Sequence, residues 1–248
     1  MSADPGIGPR FHENTKYHRQ RMPSGPGWAA VPPYKQYENP LQYVELPPLQ
    51  RQEGPPLWEI IARRRSRRRF ADTPISLQQL AQLVGGVAGI TSGETEDAFR
   101  ATASAGALYP NETYLAVSNV TDCPAGIYHH EVLENRLAML AEGDFSAEIA
   151  QACLGQRFMA AAGVVFAWGA VVARCAQKYG DRAYRYVYLD AGHLGAQLQL
   201  AAEALDLGSV NIGAFFDDEV NRLLGLDGIA ETVVYLTAVG TLLAGAED

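Results

Sequence analysis

Arg63-Arg64-Arg65-Ser66-Arg67-Arg68-Arg69-Phe70 places six arginines in seven positions, with an aromatic residue behind them. The stretch follows Leu57-Trp58-Glu59-Ile60-Ile61, where Leu57, Ile60 and Ile61 share one face of a short predicted helix. It therefore sits where a helix gives way to a strand or turn, and alternation there sends some arginines inward and others to solvent. The chain has 248 residues and a net charge of −8, from 20 Lys+Arg against 28 Asp+Glu. Without the run, 14 cations would face 28 anions, a balance of −14. Cation gathered this densely in an acidic chain points to an anion, and a guanidinium fork suits phosphate better than an ammonium does. A solvated basic run, or a targeting or nucleic-acid patch, has the same composition.

Working outward, proline divides the chain. Eleven of the 14 prolines lie in residues 1–56. Residues 1–55 read as an extended, proline-rich arm with Trp28, Tyr34, Tyr37 and Tyr43 as apolar anchors. Residues 56–248 read as the folded domain. Apolar residues at 48% and charged residues at 19% suit a soluble globular protein. No apolar run approaches the ~20 residues of a membrane span. The start, MSADPGIGPRF, lacks the basic and apolar segments of a secretory signal. With Cys123, Cys153 and Cys175 at no metal-type spacing, a reducing, cytoplasmic setting is expected. The overall acidity argues against general nucleic-acid affinity.

Ser76 opens a second helix, with Gln79 completing a capping box and Leu77, Leu80, Leu83, Val84 and Val87 at helical spacing. Strands are predicted at Tyr114–Val120, on either side of a turn at Glu134-Asn135 within Gly126–Leu140, at Gly163–Trp168 and at Thr232–Val239. Helices are predicted at Ser146–Leu154, at Val187–Leu207 with Gly208 as its stop, and at Glu219–Leu224 with Asp217 or Asp218 as its cap. Helices and strands without strict alternation predict an α+β fold, a central sheet flanked by helices.

Three stretches could carry chemistry. Ser104-Ala105-Gly106-Ala107 offers backbone N–H groups with little side-chain bulk to a flat polar ligand, although a tight turn beside a helix explains the same residues. Gly208–Phe215 is a second small-residue passage of the same kind. Lys178-Tyr179 is a pair able to act as general base and acid, or a surface lysine beside a half-buried tyrosine. No glycine-rich phosphate loop and no Gly-x-Ser-x-Gly elbow is present. Asp190 with His193, and His129-His130-Glu131, lack zinc-site spacing, so no metal is expected and His193 reads as a core or supporting histidine.

In order along the chain these pieces resemble a known family. Arg64-Arg65-Ser66-x-Arg68-x-Phe70 after a short helix resembles the opening signature of the FMN-dependent nitroreductase superfamily. Ser104 to Pro110 with Glu112 and Tyr114, then Gly126-Ile127-Tyr128, resembles its SagB-type dehydrogenase branch. So does the run from Lys178 to Arg185 through Asp190-Ala191-Gly192-His193 to Ile212-Gly213-Ala214-Phe215.

The resemblance covers residues ~57–240. It implies a nitroreductase-like fold, bound FMN, and a homodimer or pseudo-dimer with flavin at the interface. On it, Arg64, Arg65, Ser66 and Arg68 hold the phosphate, ribityl and pyrimidine end of the flavin. Ser104, Ala105, Gly106 and Ala107 contact it from the partner subunit. Backbone groups of Gly213 and Ala214 lie near N5. Lys178 and Tyr179 are the catalytic pair, taking a proton from an azoline-like heterocycle while hydride leaves for N5. The substrate is then a small molecule or a modified peptide; an NAD(P)H-dependent nitroreductase or flavin reductase, and a non-catalytic flavin- or peptide-binding protein, are the alternatives. The family's usual C-terminal cation has no counterpart after Gly240, which leaves Arg63, Arg67 and Arg69 as surplus cations for the phosphate clamp.

Overall fold

The computed structural model describes residues 6–19, 28–50, 54–93, 98–243 and 245. Met1–Pro5, which begin the stretch read for a secretory signal, lie outside them, as do Ala244 and Ala246–Asp248 of the cation-free tail. Among the described residues, helices α1 (Ile7–Asn14), α2 (Leu57–Arg63), α3 (Leu77–Ala88), α4 (Ser146–Ala152), α5 (Val172–Tyr179), α6 (Ala183–Ala204) and α7 (Asp217–Leu224) are joined by nine strands. The strands are β1 (Gln42–Glu45), β2 (Ile90–Ser92), β3 (Phe99–Arg100), β4 (Asn111–Val117), β5 (Gly126–Glu131), β6 (Arg136–Glu142), β7 (Val164–Ala170), β8 (Leu207–Ile212) and β9 (Thr232–Thr241). A seven-stranded sheet runs β1-β6-β5-β4-β7-β9-β8, and every strand pair in it is antiparallel. The α+β expectation holds: a large antiparallel sheet is flanked by helices.

The sheet is covered on both faces, so β4 and β7 are buried at every position. Alternate residues enter separate cores. Leu115, Val117, Phe166 and Trp168 meet α3 and α6 through Leu83, Val87, Leu194 and Leu198. Tyr114, Ala116, Val165 and Ala167 share the other core with Ile149 of α4 and Val220 and Leu224 of α7. Truncating a fully buried ring such as Phe166 to Ala costs about 3–5 kcal/mol. Helix α3 starts on the expected capping box, with Ser76 accepting from the Gln79 N–H and the Gln79 side chain returning to the Ser76 N–H. Among the described residues no helix is long and apolar enough to cross a membrane.

Several boundaries differ from the sequence reading: β4 and β7 are shifted by one to three residues, α4 ends earlier and α6 starts earlier, at Ala183, and two differences have a plain cause. Helix α6 stops at Ala204, with Asp206 at φ 54°, and Gly208 lies inside β8 rather than ending the helix. Gly208 is small because a Cβ there would lie 2.6 Å from Leu242 and 3.1 Å from the Arg67 Cβ. Helix α7 is not capped by an aspartate: its N-cap is Phe216, while Asp217, Asp218 and Glu219 fill its first turn, where carboxylates complement the positive end of the helix dipole.

Residues of the proline-rich arm bind the body. Strand β1 pairs with β6. Lys35 donates to the Tyr114 hydroxyl at 2.7 Å and to Glu231 at 2.5 Å, and Tyr114 donates to Glu231 at 2.8 Å.

Candidate functional site

Two constellations emerge, at opposite ends of α6. The first is the arginine run. Past α2 the chain is extended and lies along the edge strand β8. Ser66 bridges Ser209 in parallel, and the Arg67 N–H donates to the Ser209 carbonyl at 2.9 Å. Phe70 then bridges Leu242 and is buried, which anchors the run. Pairing along β8 also covers the sheet edge.

Side chains alternate only at the start of the run: Arg64 and Ser66 are half-buried and Arg65 is exposed, but Arg67 is half-buried and Arg68 exposed. Arg65 donates to the carbonyls of Ala62 and Arg64, and Arg68 to that of Ser66. Among the described residues no carboxylate lies within ion-pair distance of Arg64, Arg65 or Arg68. Arg63 differs. It meets Glu59 at 3.3 Å, Glu203 at 3.2 Å and Asp206 at 3.1 Å, so it joins α2 to the end of α6 and is not a surplus cation. From Ser209 the chain runs four residues to Gly213 and five to Ala214, at most about 17 Å. Both are exposed beyond the end of β8, and the Ala214 carbonyl accepts from Gln156 at 3.2 Å.

The second constellation is the Ser104–Ala107 turn. Ala105–Ala107 form one 3-10 turn, with Gly106 at φ 67°. Ala107 and Tyr109 are also held at positive φ, 55° and 44°, a conformation that costs a non-glycine residue about 1–2 kcal/mol. Asp190 of α6 holds the turn in place. Its carboxylate accepts from Ser104 Oγ at 2.6 Å and from the Ala105 N–H at 3.2 Å, while Ser104 Oγ accepts from the Tyr109 N–H at 2.9 Å. Burial raises the Asp190 pKa, and the Ser104 and Ala105 donors oppose that shift.

Lys178 and Tyr179 end α5, where a lysine complements the helix dipole, and they meet this turn. A Cβ at Gly106 would lie 2.5 Å from Tyr179 Oη and 2.9 Å from Lys178 Nζ. Tyr179 packs on Tyr186 with ring centroids 4.7 Å apart, while Lys178 is exposed. Residues more than seventy positions apart are thereby brought into one small patch.

The two constellations do not converge within one chain. Asp190 and Glu203, which mark them on α6, are thirteen residues apart, about 20 Å along the helix axis. The sequence reading missed Asp190 and Tyr186 as supports. Asp190 carried a legible signal: with Val187, Ala191 and Leu194 it falls on a buried helical face, and a carboxylate there requires donors. His193 is exposed on α6 and is not a core histidine. His129 of β5 faces Glu112 of β4 at 2.9 Å, and Glu131 of β5 accepts from Arg136 of β6 at 2.9 Å, so these acids are paired across neighbouring strands.

Comparison with known proteins places this arrangement. A protein of Methanocaldococcus jannaschii named as a nitroreductase is 33% identical over 181 residues, 73% of this chain and 88% of that protein. The crystal structure of a protein named as a nitroreductase from Anabaena variabilis superposes with a TM-score of 0.77 at 28% identity, over 94% of this chain. This chain spans 47% of the Anabaena chain, about half its length. An E. coli microcin synthetase complex with a truncated pro-MccB17 bound contains a chain with the same fold, at a TM-score of 0.62 and 17% identity, over 98% of this chain and 84% of that one. The NADPH:FMN oxidoreductase of Vibrio harveyi complexed with NAD+ also shares the fold, at a TM-score of 0.54 and 21% identity over 77% of this chain and 71% of that one. Residues 61–241, from the last turn of α2 to the end of β9 and so including both constellations, match the Nitroreductase family, and the chain belongs to that family of oxidoreductases, whose members generally bind FMN and are typically homodimers.

Proposed function

We propose that this protein is an FMN-dependent oxidoreductase of the SagB-type branch that dehydrogenates an azoline-like heterocycle. The observation that carries the reading is the meeting of Lys178 and Tyr179 with Gly106 of the small-residue turn. It sets a lysine and a phenol beside exposed backbone against which a flat ring can lie. Lys178 and Tyr179 would take the proton from the substrate carbon next to the one that gives up hydride and release it to solvent. Bound flavin would supply the hydride acceptor at N5.

The donor set fits a flavin phosphate. Arg64, Arg65 and Arg68 face no carboxylate among the described residues, unlike Arg63, and Ser66 adds a hydroxyl in the middle of the run. In this reading they hold the phosphate, ribityl and pyrimidine end. Gly213 and Ala214, just past the end of β8, orient the ring, and Ser104–Ala107 of a second copy closes over it. Two half-sites about 20 Å apart on one helix need that second copy. The exposed apolar faces favour it as well: Trp58 of α2 is 79% exposed and Leu189 of α6 59%. In the same reading residues 56–248 form the flavin domain, residues 1–55 are the arm that straps it, and the protein acts in the cytoplasm.

A bound truncated pro-MccB17 in the E. coli neighbour favours a modified-peptide substrate. The Vibrio neighbour, complexed with NAD+, favours a second reading, an NAD(P)H-dependent reductase. An absorption spectrum of the purified protein, with mass spectrometry of the released chromophore, tests the cofactor. Steady-state NAD(P)H consumption without a new substrate double bond would select the second reading. A colourless protein that takes up no FMN would end both.

A further inference from the structure

Beside the Ala107–Leu108 turn is a cavity of about 200 Å³ that no sequence motif pointed to. Its wall contains Arg100 and Arg174, which are only 8% and 5% exposed. Burying two guanidiniums side by side is costly unless anions compensate. One does: Glu112 meets Arg174 at 2.5 Å. Burial, then His129, then Arg100 push the His130 pKa down to about 3, so His130 adds no charge here. Among the described residues, two cations thus face one carboxylate.

Carbonyl groups of the arm take some of the remaining donors, Pro32 from Arg174 Nε at 2.7 Å and Pro33 from Arg100 Nη2 at 3.4 Å. Arg100 Nε is buried and has no hydrogen-bond partner among the described residues. The rings of Tyr109 and Tyr34, centred 4.7 Å and 5.2 Å from the Arg100 guanidinium carbon, give the cavity flat walls. A volume below the ~300 Å³ of drug-sized sites suits a single ring or one terminal group.

We propose that this cavity is a carboxylate subsite, receiving the carboxylate of a small, flat organic acid on Arg100 and Arg174. Gln177 at its mouth adjoins Lys178, and Ala107 in its wall adjoins Gly106, so an acid seated there reaches toward the Lys178–Tyr179 patch. This orientation rests on the functional reading above and narrows its substrate to a heterocycle carrying a free carboxylate. The carboxylate assignment itself does not depend on that reading.

The test is calorimetric titration of the protein as isolated with benzoate, with benzamide as the neutral isostere, and with inorganic phosphate. Benzoate is expected to bind at least about tenfold more tightly than either of the others. Gln177→Glu, at an exposed position, places a competing carboxylate at the mouth and is expected to weaken benzoate about tenfold while leaving benzamide unchanged. Arg100→Gln is expected to weaken benzoate about thirtyfold or more. Should that buried substitution fail to fold, Gln177→Glu decides alone. Benzoate binding no better than benzamide or phosphate, or unaffected by Gln177→Glu, would overturn the assignment. Flavin absorbance on the same samples keeps the two readings apart. A colourless protein selective for benzoate retains the subsite and loses the flavin, and a yellow protein indifferent to benzoate does the reverse.

Discussion

Gly106→Ala separates the cost of the small-residue turn to folding from its value to turnover. At φ 67° an alanine pays about 1–2 kcal/mol of backbone strain, and about half of that is offset by the lower entropy of its unfolded chain. The net loss is about 1 kcal/mol, which for a protein of this size lowers Tm by about 2–4 °C. The new methyl would lie 2.5 Å from Tyr179 Oη, whereas ordinary contact begins at 3.4 Å. The tyrosine hydroxyl and the lysine ammonium must therefore each move back by up to about 1 Å. Both are the ends of flexible side chains, so the fold tolerates the shift. A reacting group misplaced by about 1 Å costs on the order of 100-fold in rate. The assay pairs a thermal melt and a flavin absorbance ratio with steady-state substrate oxidation. The expected result is a small drop in Tm, retained flavin and a turnover loss near 100-fold. Turnover within about twofold of wild type, with the melt shifted as expected, would refute the placement of Lys178 and Tyr179 at the reacting atoms.

Lys178→Ala and Tyr179→Phe should keep flavin and lose about 100-fold or more in turnover, as removal of a general acid or base does; unchanged rates in both would remove the pair from the mechanism. Arg64→Ala and Arg68→Ala should lower the flavin-to-protein absorbance ratio, whereas Arg63→Ala, whose partners are Glu59, Glu203 and Asp206, should leave it unchanged. Burial would raise the Glu112 pKa, but His129 and Arg174 hold it down at about 2. The resulting stabilisation, about 3 kcal/mol, is complete above the ordinary carboxylate range near 4.5 and is lost as the pH falls toward 2. Urea unfolding at pH 7 and pH 3 should show this loss in wild type and a flatter response in Glu112→Gln. Burial pushes the Cys153 and Cys175 thiols up to about 12, so iodoacetamide at pH 8 should label them only after unfolding.

Much of the architecture was legible because its causes are local. A capping box needs three residues, and Ser76 to Gln79 carries one. The apolar run Gly163–Trp168 marks a buried strand, β7, and the stripe from Val187 to Leu205 marks a helix packed on the sheet. The small-residue turn, the arginine run and the Lys178–Tyr179 pair could likewise be singled out from composition and order.

What tertiary structure decided was which of these residues meet. Gly208 reads as a helix stop because glycine ends helices locally. Its actual constraint is the approach of Leu242 and Arg67, distant in sequence or on another strand. Arg63 looks like its neighbours in the run until the end of α6 brings Glu203 and Asp206 to it. The Ser104 turn is held by a carboxylate 86 residues away. The pairing of Arg100 with Arg174 in one cavity wall leaves no trace in spacing at all. Helix caps and amphipathic stripes arise from interactions within a few residues of chain, so sequence alone determines them. Ion pairs, turn anchors and cavity walls join groups that come near one another only after the sheet and α6 have packed, and their energies depend on burial that no local pattern encodes.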